Sequence, residues 1–272
     1  MSSKPPRKIG PYHLENLLGR GGMGEVWSAH DERLDRRVAI KHVRRDQGRD
    51  RGHGETLRER FRREAWAAAR IAHPAVVAVF DVLEDGDGDW IVMELVDGQS
   101  LHARLKESGP LPVRDLLRYG RHVAEGLAAA HAKGLVHRDL KTENVMLAAT
   151  GHAKILDFGL VKHLGEAGGA DDPSLTLHGA VMGTARAMSP EQARGLDIDA
   201  RSDLFAFGTL LYEAATGKSP FVADTALDTL TRVVGEEPPP LAELRPELPP
   251  ELCVLVEELH EKARERRPES AG

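Results

Sequence analysis

The stretch GLVHRDLKTENVML, Gly134 to Leu147, sets His137, Arg138, Asp139, Lys141 and Glu143 close together between apolar flanks. Leu135, Val136, Val145, Met146 and Leu147 read as strand-like and buried, so this charge is held against a core instead of being left in water. Two readings are open. The charges satisfy one another in a structural turn, or they form a site where charge does chemistry. What lies on either side decides between them.

Upstream the chain reads as strands. YHLENLLGR (Tyr12 to Arg20), GEVWSAH (Gly24 to His30), RRVAIKHV (Arg36 to Val43), AVVAVFDVLED (Ala75 to Asp85) and DWIVMELV (Asp89 to Val96) are short and β-branched or partly alternating, with glycines or charged turns between them. One helix is expected among them. Thr56 and Glu59 in TLRE match a capping box, and the helix should run to about Ile71, ahead of His73-Pro74. Downstream the chain reads as helices. In Val113 to Lys133, Leu116, Gly120, Val123, Leu127 and Ala130 form one apolar stripe that stops at Gly134. Apolar residues occupy nearly every face of Asp203 to Gly217, which predicts a helix buried all round. Amphipathic helices are expected at Thr225 to Val234 and Glu251 to Ala263, joined by the proline-rich EEPPPLAELRPELPP. The expected fold is α+β: residues 1–96 form a lobe of five antiparallel strands and one helix, residues 97–272 a larger, mainly helical lobe, with a ligand cleft between them.

Composition narrows the class. With 272 residues, 41% of them hydrophobic, the chain can bury a large core. A formal net charge of −6 gives no reason to expect nucleic acid or anionic lipid as a partner. The single Cys253 rules out an internal disulfide framework and fits a reducing cytoplasm. No apolar run approaches the roughly 20 residues that span a bilayer. MSSKPPRKIG is basic but lacks the apolar stretch of a signal peptide.

Three motifs surround the opening stretch. GRGGMGEV places Gly19, Gly21 and Gly24 between two strands, where backbone amides can approach phosphate without a Cβ in the way. The plain alternative is a glycine-rich hairpin. VAIK places Lys41 among Val38, Ala39 and Ile40, where burial costs desolvation unless an anion meets the ammonium. Glu64 on the capped helix is a candidate partner, and the plain alternative puts Lys41 on the wet face of its strand. HRDLKTEN followed by DFG (Asp157 to Gly159) is more specific: Asp139, Lys141, Asn144 and Asp157 offer a base, a cation and two oxygen ligands suited to magnesium. The 13 histidines show no zinc-binding spacing. A salt-bridged turn explains one or two of these charges, not all of them in this order.

In that order, from about Tyr12 to Arg267, the motifs resemble the catalytic domain of bacterial serine/threonine protein kinases. The resemblance implies transfer of the γ-phosphoryl group of ATP to Ser/Thr hydroxyls of proteins, with Mg2+, or Mn2+ in its place. Gly19, Gly21 and Gly24 would cover the phosphates. Lys41 would contact the α- and β-phosphates and pair with Glu64. Met93 would be the gatekeeper, Glu94 and Val96 would bond adenine through their backbone, and Leu18, Val26, Ala39 and Met146 would enclose its ring. Asp139 would take or orient the substrate proton, Lys141 would steady the phosphoryl group, and Asn144 and Asp157 would hold the metal. Thr184 would bond near Asp139 and Lys141, Glu191 would pair with Arg267, and Asp203 would brace the catalytic loop.

The same resemblance implies regulation. Arg138 beside Asp139 accompanies activation by phosphorylation, with the arginine clamping the phosphate. Thr176, with Ser174 as a neighbour, lies where related kinases autophosphorylate, which implies a kinase–kinase dimer for that step. Three features depart from the family pattern. Thr142 replaces a proline, and Ala185 and Ala187 replace the proline and tyrosine of GTPxYMSPE, where the substrate peptide is read. The basic run RRDQGRDRGHGETLRERFRRE reads as a solvated face, with a docking surface for an acidic partner as the alternative. The chain stops just after Arg267, so the last helix reads as truncated or the chain as the cytoplasmic part of a longer, membrane-anchored protein. The rival classes are a pseudokinase-like nucleotide-binding scaffold, against which stands the presence of Lys41, Glu64, Asp139, Asn144 and Asp157, and a small-molecule kinase, against which stands the peptide-receiving Gly183 to Glu191 segment.

Overall fold

The structure is a computed structural model that describes residues 8–21, 24–44, 63, 65–85, 88–158 and 185–272. The chain divides into two compact units. The first takes in the described residues up to 72 together with 77–97; the second takes in 73–76, 98–158 and 185–272.

The first unit is an antiparallel sheet. Its strands are β1 (Lys8–Ile9), β2 (Tyr12–Gly21), β3 (Gly24–Asp31), β4 (Arg36–Arg44), β5 (Val79–Asp85) and β6 (Gly88–Glu94), in the order β1-β2-β3-β4-β6-β5. The five expected strands are present, and the two-residue β1 adds a sixth at the edge; a pair that short carries no periodic signal. Side chains alternate across the pleat, so the sheet has two distinct faces. One carries the hydrophobic core of Ile9, Tyr12, Leu14, Ala29, Val38, Ile40, Trp90 and Val92. β5 starts at Val79, four residues later than its apolar run suggests. The backbone just before it is engaged in the second unit, where the Ile155 amide donates to the Ala75 carbonyl at 2.8 Å and Val76 bridges to Ile155. Of the helix expected to reach Ile71, residues 63 and 65–69 are described and are helical, ending ahead of His73-Pro74 as the proline requires. Its capping box lies outside the described residues.

The second unit begins with β7 (Gly98–Ser100), which pairs with β8 (Val145–Ala148), itself paired with β9 (Ala153–Ile155). The Ser100 hydroxyl caps α1 (Leu101–Ser108) by accepting from the Ala103 amide at 3.1 Å. α2 (Val113–His131) buries the predicted stripe and adds His122 and Gly126 to it. After the short α3 (Pro190–Ala193) comes α4 (Ala200–Thr216), in which every residue from Ser202 to Ala215 is buried. Asp203, expected to open this helix, lies in its first turn, and Asp199 supplies the cap. α5 (Ala226–Gly235) follows, then α6 (Leu241–Leu244) within the proline-rich connector, then α7 (Pro250–Leu259). α7 ends at Leu259, short of the expected Ala263. There the His260 ring turns edge-on to Phe205 and Phe221, and Lys262 reaches the Val233 carbonyl at 3.0 Å. Burial pushes His260 down to about 3, so its ring is neutral in this core. Among the described residues, no helix is long and apolar enough to cross a membrane.

Candidate active site

Leu135 and Val136, expected in a strand, belong to none; the backbone from 135 to 141 is an irregular loop. Its amide donors therefore need other partners, since unpaired buried amides are costly. Asp203, buried in α4, supplies them: one carboxylate oxygen accepts from the His137 amide at 2.7 Å, the other from the Arg138 amide at 2.8 Å. The first oxygen also lies 2.8 Å from His131 Nε2, at the end of α2. Arg138 takes a left-handed backbone with φ of 66°. That conformation costs a non-glycine residue about 1–3 kcal/mol. It is held from both sides, by Asp203 on its amide and by Gln192 Nε2 donating to its carbonyl at 2.8 Å. His137 is buried, with Nδ1 accepting from the Asp139 amide at 3.2 Å and Nε2 donating to the Leu156 carbonyl at 2.7 Å. Those two bonds select the neutral tautomer protonated at Nε2.

The loop thus presents Asp139 with its neighbours in place. Lys141 Nζ lies 2.9 Å from Asp139 Oδ2. The Asn144 side-chain amide donates to the Asp139 carbonyl at 2.8 Å and to Oδ2 at 3.2 Å. Asn144 closes a 3-10 turn, Thr142–Asn144, that runs directly into β8. Because Val145 pairs with Ile155 and the Leu156 amide donates to the Asn144 carbonyl at 2.8 Å, the β8–β9 pairing brings Asn144 and the Asp157 end of β9 together. Asp157 also has a left-handed backbone, φ 53°. Register does here what sequence spacing alone does not.

In the first unit, residues directly opposite each other share a face. Val26 pairs with Lys41, Ser28 with Ala39, Lys41 with Ile91 and Ala39 with Met93. Lys41, Ala39, Val26 and Met93 therefore stand on the face opposite the hydrophobic core. Lys41 is 5% exposed, which removes the wet-face alternative for it. Gly19 pairs with Val26, and Leu18 lies in a register shift and is exposed. Glu94 and Val96, at and after the end of β6, are half-buried, as is Met146 on β8. Gly24 has a φ of 130°, and a Cβ there would meet the His42 carbonyl oxygen at 1.9 Å; at Gly19 a Cβ would meet nothing within 4 Å. Gly24 is thus required by the packing of β3 on β4, and Gly19 is not.

A family model described as a protein kinase domain matches residues 12–271. The chain belongs to the protein kinase family. It is 43% identical over 257 residues to a protein of Streptomyces coelicolor named a probable serine/threonine-protein kinase, covering 93% of this chain and 37% of that protein. It is 42% identical to the serine/threonine-protein kinase PknA of Mycobacterium tuberculosis, over 91% of this chain and 56% of PknA. It is 39% identical to PknB of Mycobacterium leprae, over 98% of this chain and 42% of PknB. The chain thus spans from about a third to just over half the length of these relatives.

The kinase domain has a further buried pair near the 135–141 loop. Arg267 Nη1 and Nη2 donate to Glu191 at 2.7 and 2.9 Å, and the Ser202 hydroxyl donates to the same carboxylate at 2.5 Å. Burial pushes the Glu191 carboxyl up, but Arg267 and Ser202 outweigh it and hold it at about 2. Ser189 and Gln192 form a reciprocal capping box on α3, which aims Gln192 at Arg138. The serine–proline–glutamate–glutamine run carries that signal in plain view. Nothing in the sequence marks His131 as a partner of Asp203. Ala185 and Ala187 are both buried. Glu64, Gly159, Ser174, Thr176 and Thr184 lie outside the described residues.

Proposed function

We propose that this kinase domain transfers the γ-phosphoryl group of ATP to serine or threonine hydroxyls of proteins, its own Leu160–Met182 segment included. The observation that carries the reading is the Asp139 carboxylate, held at once by Lys141 and Asn144 on a loop anchored to Asp203. The acceptor oxygen bonds to the γ-phosphorus as the bond from phosphorus to the β–γ bridging oxygen breaks. ADP leaves, and the hydroxyl proton passes to Asp139. Lys141 sets positive charge beside the transferred group. Most of the catalysis in such a transfer is positioning and charge stabilisation.

In this reading the amides of Gly19, Gly21 and Gly24 and the ammonium of Lys41 hold the phosphates, with Glu64 as the partner of Lys41. Leu18, Val26, Ala39 and Met146 enclose adenine, Met93 is the gatekeeper, and Glu94 and Val96 bond it through their backbone. Asn144 and Asp157 suit a hard cation. With its NH2 donating to Asp139, Asn144 keeps Oδ1 as its acceptor, and Asp157 adds a carboxylate. Among the described residues no three His, Cys, Asp or Glu side chains form a metal cage, and magnesium that keeps waters and phosphate oxygens needs none. The ion, Mg2+ or Mn2+, would neutralise phosphate charge when bound. Arg138, whose backbone is held at both ends, would serve a phosphate on Thr176 or Ser174, added by a second copy of the kinase in a transient dimer. A cytoplasmic location fits ATP as the donor.

Radiolabelled ATP with the chain and a generic basic protein tests the reading, with Asp139→Asn as control. Magnesium-dependent label on protein, abolished by the substitution, is the expected result. Nucleotide binding without transfer would sink it.

A further inference from the structure

Arg186 sits between the buried Ala185 and Ala187, and its own side chain is only 17% exposed. It spans two carboxylates from different parts of the second unit. Nη2 bonds to Glu143 Oε1 in the Thr142–Asn144 turn, and Nη1 lies 3.6 Å from Glu213 Oε1 in α4. The Thr142 hydroxyl, fully buried, lies 3.3 Å from the same Glu213 oxygen. At the outer edge His102 Nδ1 stands 3.8 Å from Glu143 Oε1. Burial holds the Glu213 carboxyl above its ordinary value, against the pull of Arg186 and with a smaller push from Glu143. Glu213 is buried and Glu143 half-buried, and two carboxylates that share one guanidinium repel each other once that cation is removed. A guanidinium, with several donors in one plane, can serve both.

The position of this cluster matters more than its charge balance. Glu143 directly precedes Asn144, whose amide holds the Asp139 carboxylate. Thr142 directly follows Lys141, whose ammonium holds the same carboxylate. A shift of the turn by an ångström would therefore move three groups of the transfer site together, and misplacements of that size have large effects on rate.

We infer that Arg186 is a positioning residue for phosphoryl transfer, clamping the Ala185–Met188 segment to the catalytic loop through Glu143 and to α4 through Glu213. The inference rests on the transferase reading above. Arg186→Met leaves Glu213 buried and uncompensated beside Glu143, so the turn rearranges to separate them. Arg186→Met/Glu213→Gln removes the buried charge that forces the rearrangement.

The experiment compares the wild-type chain, Arg186→Met, Glu213→Gln and the double variant in steady-state transfer to an acceptor protein, in magnesium titration and in thermal melting. Arg186→Met should lower kcat by about tenfold or more, keep KM for the acceptor within about twofold, and raise the magnesium needed for half-maximal rate. Adding Glu213→Gln should bring kcat back to within about threefold of wild type and raise the melting temperature above that of Arg186→Met. A clamp that only stabilises the fold would lower melting while leaving kcat and magnesium dependence unchanged, and that result overturns the inference. So does a loss of kcat that Glu213→Gln fails to repair. Absence of transfer by the wild-type chain would refute the activity itself, which separates the two failures.

Discussion

Replacing Arg267 with methionine should produce the largest stability loss of any single substitution at the Glu191 pair. The methionine keeps most of the arginine's length and apolar stem but leaves the Glu191 carboxylate, 5% exposed, with no cation. Breaking a buried ion pair on one side typically costs about 3–5 kcal/mol. The carboxyl itself gives a similar figure. Its value falls from an ordinary 4.5 to about 2 in the fold. At 1.36 kcal/mol for each pH unit, its folded environment contributes about 3 kcal/mol to stability. Because the folded value is depressed, that contribution is complete above about pH 5 and fades as pH falls from about 4.5 towards 2. Urea denaturation of the two chains should therefore differ by about 3–5 kcal/mol at pH 7, and the gap should narrow steadily below pH 4.5. Glu191→Gln added to Arg267→Met should recover part of the loss, since an amide is cheaper to bury than an uncompensated carboxylate. A difference below about 1 kcal/mol at pH 7, or one that stays constant down to pH 3, would show that the pair does not carry the charge compensation assigned to it.

Three further outcomes are expected, the first two from the geometry and the third from the proposed function. Gly24→Ala forces a Cβ into the His42 carbonyl and should lower the melting temperature and weaken ATP binding, at a cost of at least about 1–3 kcal/mol, whereas Gly19→Ala should melt close to wild type. Asp203→Asn replaces a charged acceptor of two loop amides by a neutral one and should cost about 1.5–3 kcal/mol at the loop, read as a drop in kcat of about tenfold or more with the chain still folded. Thr176→Ala should lower activity and remove a phosphate detectable by mass spectrometry, and Arg138→Ala should abolish the response to that phosphate; full activity of Thr176→Ala with no phosphate at that position would discard the proposed switch.

Much of the molecule was legible in the chain because its signals are local. Strands β2 to β6 announce themselves by β-branched residues and glycine turns, and α2 by a stripe repeating at three and four. The catalytic loop is recognisable because four residue types fall in one order within a short run. The structure departs from these local signals where a distant contact overrides a local preference. Leu135 and Val136 are apolar enough for a strand, yet their loop serves Asp203, some 65 positions away. Ala75 and Val76 continue an apolar run, yet their backbone is taken by Ile155. α7 stops early because His260 and Lys262 turn into aromatic partners on α4 and beside α5.

The charges of the opening stretch show the same division. Their identity and order, His137 to Asn144 with Asp157 beyond, were set by the sequence alone, and the chemistry on phosphate proposed for them rests on those groups. Which neighbours hold them was decided only by the tertiary structure. Thr142 meets Glu213 across 71 positions and Glu143 meets Arg186 across 43, and contacts of that span leave no periodicity to read. A charge that looks exposed on paper becomes buried and compensated only when folding brings its counterion to it.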